Sequence, residues 1–486
     1  MITPRYCFFT PLALVLVLCL LTQPTYGLQQ MPKASEAVPP PLAPNELQNQ
    51  QLSLKQLLTI AEKQYPLIRA KRSLAEAKLN AITATERTII PTLDLSLQAN
   101  AASYNNITGM FFSQGIVPIS GPSSAGNSFV PAWGSAASAL FTWQPITFGQ
   151  READVALAQA EWVEASADAK QERLQHTAAL LENYLDLTLS RELRAVAEAN
   201  LVRATALATR ARILTENGLQ PSADSALAAA ERSRAMIDLL TTQELETRSR
   251  ARLMELVGLN EPPNIVPDSL LLRTVPQVNT DALALDTAQN PALQMSAARV
   301  QASKARKDAV SASTNPRLTF WTTAYARGSG VTANGTLLEG VGGLEPNRFN
   351  YGVGLNLSWS PLSYLQAAPK LHREEAIMRA SQDQFEQTRH ALQGQVIRSD
   401  ARLQTALRIA EEIPKQTQAA EIAFTNRQTK YNAGLLPYSD IAQARYLLAQ
   451  AEAEARVRFA EVWKALVSTA TVRGDFHEVL QQLHGQ

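Results

Sequence analysis

Cysteine, net charge and long apolar runs are all scarce in this chain, and each scarcity removes a class of function. Its two cysteines, Cys7 and Cys19, both fall in the first apolar segment. The rest of the chain therefore has no disulfide scaffold, no thiol nucleophile and no thiolate metal site. A formal charge of +1 over 486 residues leaves no electrostatic footprint for nucleic acid. Beyond the N-terminal segment no stretch is apolar enough for a membrane helix, so any membrane crossing must use strands. His176, His372, His390, His477 and His484 are scattered through polar helical or terminal sequence without metal-ligand spacing, and they read as solvent-facing. The GVGG of residues 340–343 lacks a following Lys-Ser/Thr and reads as a loop, not a phosphate cradle. With no catalytic constellation, the chain does not read as an enzyme, and no cofactor or metal is expected.

What is present begins with an address. Arg5 precedes an apolar run over residues 8–21, and a polar stretch then ends in Thr25-Tyr26-Gly27. This is the pattern of a secretory signal peptide over residues 1–27. A membrane anchor is the competing reading, disfavoured because the run is short against the roughly 20 residues a span needs. Lipidation at Cys19 is disfavoured by Leu18, which stands where a small residue is wanted. Residues 28–52, with Pro32, Pro39, Pro40, Pro41 and Pro44, read as an extended linker that cannot build a core.

The remainder is a sequence written twice. NGLQPSAD at residues 217–224 and AGLLPYSD at residues 433–440 share the pattern GLxPxxD at an offset of 216 positions. Each copy sits between long Ala-rich helical runs. Glycine suits the left-handed position past a helix end and proline suits the first turn of the next helix, so each copy predicts a tight helical hairpin. Upstream, Pro66 and Pro91 are spaced by 25 positions, as are Pro291 and Pro316. Each pair brackets a helical run that is broken near its start and stopped at its end. The first repeat then covers residues 53–258 and the second 281–474. Residues 259–280, rich in proline, read as the linker between them, and 475–486 as a polar, peripheral tail.

After Pro91 and Pro316 the apolar period switches from helical to alternating, which predicts strands. Leu93, Leu95 and Leu97 alternate with Asp94, Ser96 and Gln98, and Tyr351, Val353, Leu355 and Leu357 alternate with small or polar residues. Shorter alternations surround Phe141 and Trp143, and Leu318 and Phe320, where Trp321 blurs the pattern. Trp133, Trp143, Trp321 and Trp359 fall in or beside these strands, as in the interfacial girdle of a membrane barrel. Long Gly/Ser/Pro/Asn loops over residues 105–131 and 328–347 join the strands of each half. Four strands cannot close a barrel, so several copies of the chain must cooperate.

Long helices are predicted over residues 151–215 and 370–430, with apolar seams at Leu174, Ala178, Leu181, Leu185, Leu189, Leu193 and Val196, and at Leu392, Val396, Leu403, Leu407 and Ala410. Shorter helices return over 222–257 and 439–473. Two short helices set end to end match one long helix, giving a rod with its strands at one end and its GLxPxxD turn at the other. Pro414 has no counterpart in the first repeat and is expected to break or kink the second long helix.

In this order of elements, and in KYNAGLLPYSDIAQARYLLAQAEAE with its duplicate NGLQPSADSALAAAE, the chain resembles the TolC family of outer-membrane efflux channels. The resemblance implies a mainly α fold with a transmembrane β-barrel portion. It implies a homotrimer whose twelve strands form a barrel in outer-membrane lipid, continued by a twelve-helix periplasmic α-barrel. It further implies partners: a periplasmic adaptor (membrane fusion) protein and an inner-membrane pump of the resistance-nodulation-division or ABC type. The implied adaptor contacts are the turns, at Gly218, Leu219, Pro221, Gly434, Leu435 and Pro437. The implied periplasmic gate places Asp440 in an acidic ring and Asp224 as the first-repeat carboxylate, with Tyr431 as its hydrogen-bond partner. Two residues depart from the family pattern: Gln443 where well-known members have a second acid, and Leu436 where they have an arginine tying the tips together.

The residues themselves allow a second reading of Asp224 and Asp440, as carboxylates favoured in a first helical turn by the helix dipole. The competing function class is an envelope-anchored coiled-coil structural or adhesive protein. It offers no reason for two turns pointing the same way.

Overall fold

The structure, a computed structural model, describes residues 52–103, 126–261, 265, 269–273, 276, 289–332 and 334–484. The expected signal peptide, the linker up to residue 51, the centre of the first inter-strand loop, most of residues 259–280 and the start of the second repeat lie outside these.

Helix α1 (Leu54–Gln64) opens with a capping box, in which Ser53 accepts from the Gln56 backbone and the Gln56 side chain accepts from the Ser53 N–H. Pro66 sits at the first position of α2 (Pro66–Glu86), so the predicted break falls between α1 and α2. Strands β1 (Thr92–Ala102) and β2 (Ala132–Ile146) follow. The long α3 (Gln150–Glu216) turns into α4 (Ser222–Val257). The second repeat supplies α5 (Pro291–Ala312), β3 (Arg317–Ser329), β4 (Arg348–Ser358), α6 (Ser363–Asn432) and α7 (Tyr438–Arg473). A short α8 (His477–His484) ends the described chain. At about 1.5 Å per residue the long helices are each about 100 Å.

The four strands form one antiparallel sheet in sequence order, with β1 and β4 at its edges. Register divides it cleanly. Leu95 opposes Ala139, Ala139 opposes Ala324 and Ala324 opposes Tyr351, all on an apolar face. Ser96 opposes Ser138, Ser138 opposes Tyr325 and Tyr325 opposes Asn350, on a polar one. Trp321 breaks the alternation because it lies on the polar face opposite Gly354. A Cβ at Gly354 would come within 2.6 Å of its indole ring and one at Gly352 within 3.2 Å, so the two glycines make room for it. Trp321 is therefore a mid-strand residue of the polar face, not one of a girdle.

Within the helical part, α3 packs against α4 and α7, and α6 against α7. Nearer the sheet, α3 packs against α2 and α5, and α5 against α6. The short helices do stack end to end. Gly474 caps α7 at φ 83°, where an added Cβ would lie 2.8 Å from Pro291. Asn290 bridges the junction, donating from Nδ2 to the Val472 carbonyl at 2.7 Å while its Oδ1 accepts from the Ala292 N–H at 2.8 Å. Gly258 (φ 77°) plays the same part in the first repeat, beside Gln64 and Tyr65. There the gap is filled by Tyr65 stacked on His176 at 3.8 Å.

Several expectations need correction. His176 is not solvent-facing but buried. Burial pushes its pKa down, against a hydrogen bond to the Leu256 backbone. Its second-repeat counterpart on the 216 offset is Leu392, which lines a cavity of about 650 Å³ between α3, α5, α6 and the end of α7. The segment after α4 is not a bare linker. Ile265, Leu271 and Leu272 are buried, and the Leu271 carbonyl accepts from Trp463 Nε1 at 2.7 Å. The tail is not peripheral, because Phe476 and Val479 join the same core. Finally, α6 is helical without interruption through both Pro369 and Pro414.

Candidate functional site

Both GLxPxxD copies form the same turn. Gly218 (φ 69°) and Gly434 (φ 74°) take the left-handed conformation that glycine alone adopts without a Cβ penalty. Leu219 N–H donates to Leu214 O at 2.8 Å and Gly218 N–H to Thr215 O at 2.9 Å. Leu435 N–H donates to Lys430 O at 2.9 Å and Gly434 N–H to Tyr431 O at 3.0 Å. These are paired Schellman closures that satisfy the last carbonyls of each long helix. Pro221 and Pro437 are the N-caps of α4 and α7, immediately before the first helical turn and not inside it. The two leucines that follow the glycines point outward: Leu219 is 71% and Leu435 73% exposed. No covering group among the described residues accounts for that apolar exposure.

The structure brings both turns to one small core built from Leu207, Ala211, Ala228, Phe424, Tyr431, Tyr438, Ile441 and Leu448, with Ala442 and Ala444. Tyr431 and Tyr438 meet edge to face at 6.1 Å. The Arg210 guanidinium lies 5.6 Å from the Tyr431 ring centre and donates to the Asn432 carbonyl at 3.0 Å. Tyr431 does not bond Asp224. Its hydroxyl donates to Gln220 Oε1 at 3.4 Å, which ties the second turn to the first through a residue of the GLxPxxD motif itself.

Asp224 and Asp440 occupy matching places in the first turns of α4 and α7, half-exposed, where the helix dipole favours a carboxylate. The backbone N–H of each donates back to its proline carbonyl, at 3.1 Å for Asp224 and 3.3 Å for Asp440. The Asp440 carbonyl also accepts from Arg427 at 3.3 Å. Leu436 is half-buried, and Gln443 is exposed on α7.

What the sequence reading missed lies further up the helices, within about four turns of the tip. Arg445 is buried, donating to Asn200 Oδ1 at 2.7 Å and to Glu231 Oε2 at 2.5 Å, so one side chain joins α7, α3 and α4. Arg203 forks onto both Glu452 oxygens, at 3.3 and 2.5 Å, and crosses between repeats in the same way. A signal for Arg445 exists: it falls in the buried stripe of Ile441, Ala444 and Leu448, where a charge must have a partner. The Tyr438 hydroxyl is sealed without a hydrogen-bond partner among the described residues. Burial pushes its pKa up to about 12, helped by Glu231, Tyr431 and Asp224 and opposed by Arg445.

Among the described residues no cluster of His, Asp and Glu is arranged to hold a metal, and no helix is long and apolar enough to cross a membrane.

The chain thus carries a sheet with one apolar face on paired helical rods that end in matched turns. Residues 283–458, within the second repeat, match the sequence model of the family described as outer membrane efflux protein. Solved structures extend the likeness to both repeats. The outer-membrane protein VceC of Vibrio cholerae is 16% identical, with 87% of this chain and 96% of that one covered at a TM-score of 0.68. The CmeC outer-membrane channel of Campylobacter jejuni is 11% identical, with 88% and 89% covered at 0.69. The open-state MtrE outer-membrane channel of Neisseria gonorrhoeae is 16% identical, with 87% and 89% covered at 0.68. No curated protein is similar in sequence.

Proposed function

We propose that the chain is the outer-membrane exit duct of a tripartite efflux or type I secretion system. Three copies close a twelve-stranded barrel in outer-membrane lipid and a twelve-helix tunnel in the periplasm. The observation that carries this reading is the sheet. Its edge strands lack partners among the described residues and bear large apolar side chains in the open, with Leu97 84% and Tyr351 87% exposed. An open edge with an apolar face is untenable alone in water or in lipid, and closure by further copies removes both problems. The apolar face then meets lipid and the polar face lines the pore.

On this reading the exposed Leu219 and Leu435, set by Gly218, Pro221, Gly434 and Pro437, are the adaptor-docking turns. An inner-membrane pump feeds the tunnel through the adaptor. Asp440, with Asp224, narrows the tunnel at that end, where carboxylates repeated around an axis repel one another and attract cations. The Tyr431–Gln220 bond and the Arg445 link hold the two turns of each protomer together in place of the arginine that Leu436 replaces, with Gln443 lining the approach. The test is co-purification of a periplasmic adaptor with the wild-type trimer, compared with a Leu219→Asp/Leu435→Asp variant. Retention of the adaptor by an intact variant trimer would remove the docking role.

A further inference from the structure

The polar face of the sheet is not evenly polar. Toward the end away from the helices, Arg327 on β3 stands directly opposite Arg348 on β4. Like charges in that relation are destabilising. Neither guanidinium pairs with a carboxylate among the described residues.

The surroundings cannot neutralise them cheaply either. Residues 95–150, which include the whole first inter-strand loop, contain no charged side chain. In the second loop the Glu345 carbonyl lies within 2.5 Å of a Cβ built on Gly328, next to Ser135. Gly328 and Ser135 belong to the apolar face, so that part of the loop folds behind the sheet from Arg327. The remaining loop acid, Glu339, is exposed and makes no ion pair among the described residues. Asp94, the one acid on the polar face of the strands, is rows away: it opposes Leu140, which opposes Thr323.

We infer that Arg327 and Arg348, repeated in each of three protomers, form a basic collar at the outer mouth of the pore that binds and admits anionic solutes. The inference rests on the barrel reading, in which the polar face lines the pore. An arginine fork matches carboxylate, phosphate and sulfate groups. A confined passage lined by one sign of charge concentrates the opposite ion by about tenfold or more. The like-charge pair, unfavourable in the empty ladder, is relieved when an anion sits between the guanidiniums. The exported class to which this mouth is suited is therefore anionic: organic carboxylates, phosphorylated compounds or sulfated ones.

The test uses trimers in planar bilayers with tripolyphosphate as the probe, added to each chamber in turn. Block of the current is expected from one side only in about 0.1 M salt, and relief of it in about 1 M, as the Debye length falls from about 10 Å to about 3 Å. Arg327→Gln/Arg348→Gln weakens the block about tenfold or more and moves the reversal potential toward the cation. Arg327→Lys/Arg348→Lys keeps most of the block, and Asp94→Asn does not weaken it. A conducting trimer blocked equally with and without the arginines refutes the collar alone. Protein that inserts without conducting refutes the duct, and the collar with it.

Discussion

At the scale of single residues, the tip depends on a few polar groups placed where apolar ones would fold more easily. Arg445 is the clearest. A buried charge held by two partners is strongly destabilising when one partner is lost, by about 3–5 kcal/mol, whereas replacing the whole set by apolar groups is often neutral. Glu231→Ala should therefore lower the unfolding midpoint sharply, and Arg445→Met/Glu231→Leu should recover most of the loss. A double variant as unstable as the single would show that packing, not the charge, is what matters. Tyr438 gives a pH dependence with a definite sign. Its folded pKa of about 12 lies above the ordinary tyrosine value of about 10, so the neutral hydroxyl contributes stability in full below about pH 10. That contribution falls as pH rises toward 12, and Tyr438→Phe should flatten the decline. On the proposed gate, Asp440→Ala should raise resting conductance and weaken its sensitivity to divalent cations, since it would remove the ring of carboxylates. Unchanged conductance and sensitivity would leave Asp440 with only its favourable place in a first helical turn.

Elements show why some of this could be read from the sequence and some could not. Proline and glycine act locally, through a missing N–H or a missing Cβ, so the breaks at Pro66, Pro91, Gly218, Gly434 and Pro316 fixed the helix and strand limits nearly to the residue. Strand alternation was equally legible at Leu93, Leu95 and Leu97. It failed at Trp321, whose accommodation depends on glycines of another strand some 30 residues away. Burial of Ile265, Leu271 and Leu272 was hidden because a proline-rich segment has no period to reveal which side faces inward. His176 was hidden because its partner, Tyr65, comes from the junction between α1 and α2, distant in sequence. Within one chain Tyr431 meets Gln220 and not the carboxylate that the family pattern carried over, because Gln220 is an option particular to this turn. Two element-scale predictions follow from the contacts themselves. Gly354→Ala should reduce folded yield, because the new Cβ meets Trp321, and adding Trp321→Ala should restore it. Asn290→Ala should weaken the junction of α7 and α5 by about 1–3 kcal/mol, because it leaves the Val472 carbonyl and the Ala292 N–H unpaired. Denaturant melts of the purified protein would read both.

On the scale of the whole molecule, the repeat explains the architecture and its incompleteness together. Each half supplies a strand hairpin and a rod of one long helix against two short ones, and the halves join side by side through α3 with α7 and α3 with α5. That arrangement leaves α4 and α6 at the flanks of the rods and β1 and β4 at the flanks of the sheet, each with one covered side. The periodicities announced the strands and rods, but not the number of copies, because in the proposed assembly the neighbours of these flanks belong to other chains. The central claim, that three copies close the structure, is tested most directly by native mass spectrometry of the detergent-extracted protein. The account predicts a trimer as the sole stable assembly, dissociating only as the sheet unfolds. A folded monomer, or a dominant dimer or tetramer, would contradict it.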